Sequence, residues 1–143
     1  MRDDGFENPA DVEEAFYAAF ASIDVPKMAH VWLDSDSASC IHPGGGLLQG
    51  KQHVMQSWME IFSGAVQPDV EHRLLNTIAG NDIAVHLVEE TIRPGGNKSV
   101  EASRVLATNI YVRRGASWYL AEHHASLPMM AQRHAASDRR LMH

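Results

Sequence analysis

Apolar residues recur at helical spacing in the first part of the chain and give way to long β-branched and aromatic runs in the second. Val12, Phe16, Ala19, Phe20 and Ile23 share one face at a period near 3.6, which predicts a first helix. Asn8 can cap it, Pro9 suits its first turn, and Asp11 places a favourable negative charge there. Asp24 and Pro26 repeat the start signal, and a short second helix follows over residues 27–33. Residues 37–41 read as a brief strand, ended by Pro43 and Gly44-Gly45-Gly46. A third helix is predicted over residues 51–62, with Val54, Trp58 and Ile61 on one side and Gly64 past its end.

Residues 70–78, 83–93, 99–113 and 118–125 then read as strands. The stretches between them, AGND, PGGN and RGAS, have turn compositions. Helices first and an antiparallel meander second make an α+β layout, with the helices packed on one sheet face. With 143 residues, 45% of them hydrophobic and 21% charged, the chain is expected to form one domain over residues 8–128. Residues 129–143 are polar and basic, and a frayed helix or unstructured end is expected there.

The formal net charge of -6 removes the electrostatic footprint of a nucleic-acid binder. No run of about 18 apolar residues exists, so no membrane span is expected. The opening MRDDGFENPADVEE is acidic and lacks the apolar stretch of a secretory signal. The single cysteine, Cys40, allows no internal disulfide, and a cytoplasmic location is the expectation.

Two segments, CIHPGGGLLQGKQHVMQSW early and ATNIYVRRGASWYLAEHHAS late, together with this element order, resemble the nuclear transport factor 2-like superfamily. Within it the chain is similar to the SnoaL-like branch and to the association (hub) domain of calcium/calmodulin-dependent protein kinase II. The resemblance covers roughly residues 10–128. It implies a cystatin-like cone: three helices packed on a curved antiparallel sheet that wraps a long helix and opens at one end. The superfamily holds isomerases, dehydratases, polyketide cyclases and non-catalytic assembly domains, so the fold does not name a reaction.

His123 and His124 are adjacent on a predicted strand, where successive side chains point to opposite faces, so they cannot serve one ion together. If Arg114-Gly115-Ala116 is a three-residue loop, Asn109, Tyr111, Tyr119, Ala121, His123 and Ala125 share one face. The other face then carries Ile110, Val112, Trp118, Leu120, Glu122 and His124. In the kinase hub the positions matching Glu89, Asn109 and Ala125 line the pocket, so the resemblance turns His123 inward. A two-residue Gly80-Asn81 turn sets His72 opposite Glu89 and Leu74 opposite Leu87. A simple turn at Pro94-Gly95-Gly96-Asn97 would instead put Leu106 on the Glu89 face, and a bulge between Ser99 and Arg104 would reconcile the two.

These placements lead to a small, largely neutral organic ligand held in the cone by Tyr17, Trp32, His42, Trp58, Asn109 and Tyr111. Turnover, if any, would be proton transfer of the isomerase, dehydratase or cyclase kind, with His123 as acid–base group tuned by Glu89 and His72. For each tryptophan alone a plain core role weighs more, and for the histidine–carboxylate groups, holding the cone open by hydrogen bonds also weighs more than catalysis. The rival is a non-catalytic assembly module. Val88, Ile110, Val112, Trp118 and Leu120 would form an apolar sheet face through which two copies pair. The nine histidines show no HxH, HxxxH or HExxH spacing, so neither a metal nor another cofactor is expected.

Overall fold

The computed structural model describes residues 5–64, 66–95 and 99–127. The expected tail at 129–143 lies outside them. Helix α1 (Pro9–Ser22) begins where Asn8 Oδ1 accepts the Asp11 amide at 2.8 Å, and it ends on Ile23 in the left-handed region. Helix α2 (Val25–Val31) is capped in the same way by Asp24, which accepts the Lys27 amide at 3.0 Å. A short hairpin, β1 (Ser39–Ile41) and β2 (Leu48–Gln49), leads into α3 (Lys51–Phe62). The buried side of α3 carries Val54, Met55, Trp58 and Phe62, and Ile61 is exposed instead of packing with them.

The meander then runs β3 (Asp69–Ala79), β4 (Ile83–Arg93), β5 (Ser103–Arg114) and β6 (Ser117–Ser126). All six strands form one sheet in the order β2-β1-β6-β5-β4-β3, with β1 parallel to β6 and the other pairs antiparallel. The helices pack on its concave face. Phe16, Met28, Val31, Trp32, Val54 and Trp58 meet Val88, Tyr111, Trp118 and Leu120 in one continuous core. Removing each large apolar side chain from water contributes about 1.5–3 kcal/mol. That face is therefore fixed by burial.

Two bulges decide which residues share it. The β3–β4 turn pairs Ala79 with Ala84, not with Asp82, and an extra residue at Leu75 then shifts the ladder by one. Beyond the bulge His72 stands opposite Glu90 and Leu74 opposite Val88. The expected His72–Glu89 and Leu74–Leu87 pairs are thus corrected, because a one-residue slip exchanges the faces of a strand. Between β4 and β5 the ladder is continuous from Ile92↔Ser103 to Ile83↔Val112, with no bulge near Ser99. Leu106 therefore does lie opposite Glu89.

The β5–β6 connection is a two-residue turn at Gly115-Ala116 that pairs Arg114 with Ser117, and Ala121 is the extra residue of a second bulge. Before this bulge Trp118 and Leu120 face the helices; after it His123 and Ala125 do. The proposed pairing face is corrected accordingly. Val88, Trp118 and Leu120 are core, and only Ile110 and Val112 of that set lie on the outer side of the sheet. The outer side does expose apolar residues, with Ile78 66%, Ile83 51%, Leu87 37% and Leu106 42% accessible.

Candidate functional site

Four side chains from four elements converge on the concave face. Tyr17 projects from α1, Glu90 from β4, Asn109 from β5 and His123 from β6. The Tyr17 hydroxyl donates to Glu90 Oε2 at 2.6 Å, and Asn109 Nδ2 donates to the Tyr17 oxygen at 3.0 Å. That leaves Asn109 Oδ1 as the acceptor for His123 Nδ1 at 2.6 Å, so Nδ1 carries the proton. His123 Nε2 is then a lone pair, 3.9 Å from Glu90 Oε2. Both residues are sealed from water, with Glu90 1% and His123 2% exposed.

Burial governs the charges here. It lifts the Glu90 carboxyl to about 7, against the hydrogen bond from Tyr17, which pulls the other way. It also lowers the His123 imidazole to about 3, helped by His42 and His124. Burial, reinforced by Glu90, drives the Tyr17 hydroxyl far up, so it stays a donor. An ion pair at 3.9 Å would require a protonated His123, and its burial disfavours that form. The neutral imidazole beside a carboxyl that titrates near neutrality is the state this geometry supports.

A second buried network lies next to the first. Glu13 Oε1 accepts from the Tyr111 hydroxyl at 2.8 Å and from His86 Nδ1 at 2.7 Å. His86 pairs across the ladder with Asn109, so Asn109 stands between the two networks. Burial, then the neighbouring Glu13, pushes the Tyr111 hydroxyl up in the same way.

An apolar groove of about 430 Å³ opens between the C-terminal ends of α1 and α3 and the end of β4. Phe20, Phe62, Val66, Pro68 and Ile92 are among its walls. Gly95 closes its edge, because a methyl group there would collide with the Gln67 carbonyl. Phe20 and Phe62 pack on Trp58 at ring distances of 5.1 and 5.6 Å, and Trp58 in turn lies 6.3 Å from the His123 ring. Ile92 is two residues from Glu90 on the same face of β4. The groove thus leads towards the Glu90–His123 pair, with Trp58 between them.

The remaining residues singled out in the sequence divide. Tyr17, Asn109, Tyr111 and His123 all reach the interior, and Trp58 lies over it. Trp32 is core: its ring meets Phe16 and its backbone bridges to Leu120. His42 sits at the flank of Trp58, its ring 4.9 Å away. Its Nε2 donates to Ser57 Oγ at 2.9 Å while the Ser57 hydroxyl donates to the Val54 carbonyl, and burial lowers its pKa. His72 is half-buried at the rim, stacked on Tyr17 at 4.3 Å with Nε2 3.3 Å from Glu14. Glu89 points to the outer side of the sheet, where it pairs with Arg73 at 2.9 Å and Arg104 at 3.9 Å. The structure therefore separates Glu89 from His72 and His123 and puts Glu90 in its place.

Glu90, Glu13 and His86 went unnoticed in the sequence. For Glu13 a signal existed, since it stands one helical turn before Tyr17 on the apolar face. Both faces of β4 are rich in apolar residues, so alternation alone could not choose between Glu89 and Glu90. Among the described residues, no group of three or more His, Cys, Asp or Glu side chains is placed to hold a metal ion.

Comparison with known proteins matches the SnoaL-like domain over residues 10–130. The chain belongs to the SnoaL-like domain family. A candidate calcium/calmodulin-dependent protein kinase type II association domain from Thiobacillus denitrificans is 31% identical, with a TM-score of 0.83, covering 89% of this chain and 100% of that one. A candidate dehydratase of the nuclear transport factor 2-like family from Streptomyces avermitilis is 26% identical, with a TM-score of 0.73, covering 84% and 94% respectively. The curated F-box protein SKIP8 of Arabidopsis thaliana is 26% identical over 119 residues, which are 83% of this chain. The chain spans about half the length of that relative, 49% of it. The α+β cone of the nuclear transport factor 2-like superfamily, SnoaL branch, is thus the fold of this SnoaL-like chain. No described helix is long and apolar enough to cross a membrane.

Proposed function

We propose that this SnoaL-like domain binds a small, largely neutral organic molecule in its cone and moves a proton on it, in the manner of an isomerase, dehydratase or cyclase. The observation that carries the reading is Glu90: sealed under an apolar groove, held by Tyr17 at 2.6 Å and facing His123 Nε2 at 3.9 Å. A carboxyl that titrates near neutrality can take a proton from carbon and return it. Tyr17 and Asn109 keep Glu90 and His123 oriented, and the neutral His123 turns its Nε2 lone pair towards Glu90. Glu90 thus takes the acid–base role first expected of His123, and it stands beside that histidine where Glu89 was expected. The likeness to a candidate dehydratase supports the same class of chemistry. Since Glu90 and His123 are closed off in the free chain, the ligand enters by displacing Phe20 or Phe62.

The test is exchange of α-protons in uncharged ketones dissolved in D2O, followed by NMR. Wild-type protein should catalyse the exchange, and Glu90→Gln should reduce it by roughly 10²-fold or more, the usual contribution of a positioned base. A rate equal in the two proteins would remove Glu90 from the mechanism.

Assembly is a second reading, supported by the exposed Ile78, Ile83, Leu87 and Leu106 and by the likeness to a candidate association domain. In it two copies pair through the outer side of the sheet around Ile110. Sedimentation velocity should then show a dimer that Leu87→Glu converts to a monomer with unchanged far-UV circular dichroism. A monomeric wild-type protein at micromolar concentration would sink this reading.

A further inference from the structure

The indole N–H groups of Trp58 and Trp32 are buried and meet no acceptor among the described residues. Native interiors hold few such donors, because a buried N–H without an acceptor destabilises the fold. The two tryptophans differ in their surroundings. Trp32 is enclosed by core, against Phe16 and beside Leu120. Trp58 stands where the groove meets the polar cluster, with Phe20 and Phe62 on the groove side and His42 and His123 beside it. Replacing it by a phenyl ring would keep most of these contacts. Its N–H is the one feature of the side chain that this packing does not use.

We propose that the Trp58 N–H is the anchoring donor for one oxygen of the ligand, and that it selects uncharged carbonyl compounds over hydrocarbons of the same shape. An indole N–H can only donate, so its partner must bring a lone pair. The residues lining the groove are all apolar, which leaves a formal charge without compensation on the way in. The Tyr17 hydroxyl is spent on Glu90 and Asn109 Nδ2 already donates to Tyr17, so both are engaged before a ligand arrives. A ketone carried on one or two apolar rings satisfies both conditions. The inference rests on the reading of the cone interior as a ligand site and adds what that site recognises.

The experiment compares 1-indanone with indane, which share a bicyclic frame and differ by the carbonyl oxygen. Binding to wild-type protein and to Trp58→Phe is titrated by ¹H–¹⁵N NMR. In wild type the ketone should bind roughly tenfold more tightly, the yield of one ordinary neutral hydrogen bond. The Trp58 indole proton should move downfield with 1-indanone and stay in place with indane. Trp58→Phe should bring the ketone down to the level of the hydrocarbon. The indole resonance is read in the wild-type protein, so the test survives a variant that folds poorly. If both compounds bind alike and the indole proton does not respond, the Trp58 role is overturned and the ligand site stands. If neither compound binds wild type at millimolar concentration, the ligand-site reading falls with it.

Discussion

Tyr17 and Glu90 lie 73 positions apart and meet through a buried 2.6 Å hydrogen bond from α1 to β4. The contact joins the helical and sheet halves of the molecule at a carboxyl that both keep from water. Removing the hydroxyl with Tyr17→Phe takes away the bond that opposes the rise in the Glu90 pKa and leaves Asn109 Nδ2 without its acceptor. The Glu90 pKa should therefore climb further, and stability should fall by about 1–3 kcal/mol. Carboxyl ¹³C titration and urea denaturation measure the two effects. A Glu90 pKa that falls in the variant would contradict this account.

Stability should depend on pH through two groups of opposite sign. The folded pKa of Glu90 lies above its ordinary 4.5, so between about 4.5 and 7 the folded state holds the extra proton and Glu90's contribution declines as pH rises. The folded pKa of His123 lies below 6.5, so its contribution is lost as pH falls from 6.5 towards 3. Between pH 4.5 and 6.5 the two slopes oppose one another. Glu90→Gln removes the first and should unmask the second. Relative to wild type, the variant should gain up to about 3 kcal/mol as pH rises from 4.5 to 7. Parallel stability curves for the two proteins would show that Glu90 titrates normally in the fold.

Adjacent glutamates should respond very differently to loss. Glu13→Ala leaves His86 and the Tyr111 hydroxyl buried without their shared acceptor and should cost about 3–5 kcal/mol. Glu14 is exposed and reaches His72 at the rim, so Glu14→Ala should fall within about 0.5 kcal/mol of wild type. Chemical denaturation of the two single variants decides it, and similar costs would refute the assignment of Glu13 to the interior.

Cys40 should be inert in the native protein. It is buried in β1 and its thiol is raised to about 12 by burial and by Glu90, so the reactive thiolate is scarce. Iodoacetamide at pH 8 should leave the folded chain unmodified and alkylate it fully in denaturant, as read by intact mass. Rapid native labelling would mean that β1 opens readily.

Much of the fold was legible because its signals are local. Asn8 and Asp24 cap their helices through contacts three residues along, and turn compositions separate the strands. The resemblance of residues 10–128 to the SnoaL-like branch added the cone. A three-residue loop turns His123 inward, and the structure turns it inward too, with a two-residue turn. The extra residue at Ala121 offset the shorter turn, and parity was restored. No such cancellation occurred on β3. There Leu75 moved the ladder by one, and the carboxyl opposite His72 became Glu90.

By itself the sequence determined the order of helices and strands, the caps, the acidic balance and the inward choice of His123 over His124, since each follows from short-range periodicity or from family likeness. Only the tertiary structure decided that Glu90 and not Glu89 enters the cone, that Trp118 and Leu120 are core, and that Tyr17, Asn109 and Trp58 close around the histidine. The reason is physical. A strand with two apolar faces carries no preference of its own, and a bulge of one residue is set by how the bent sheet packs on its helices.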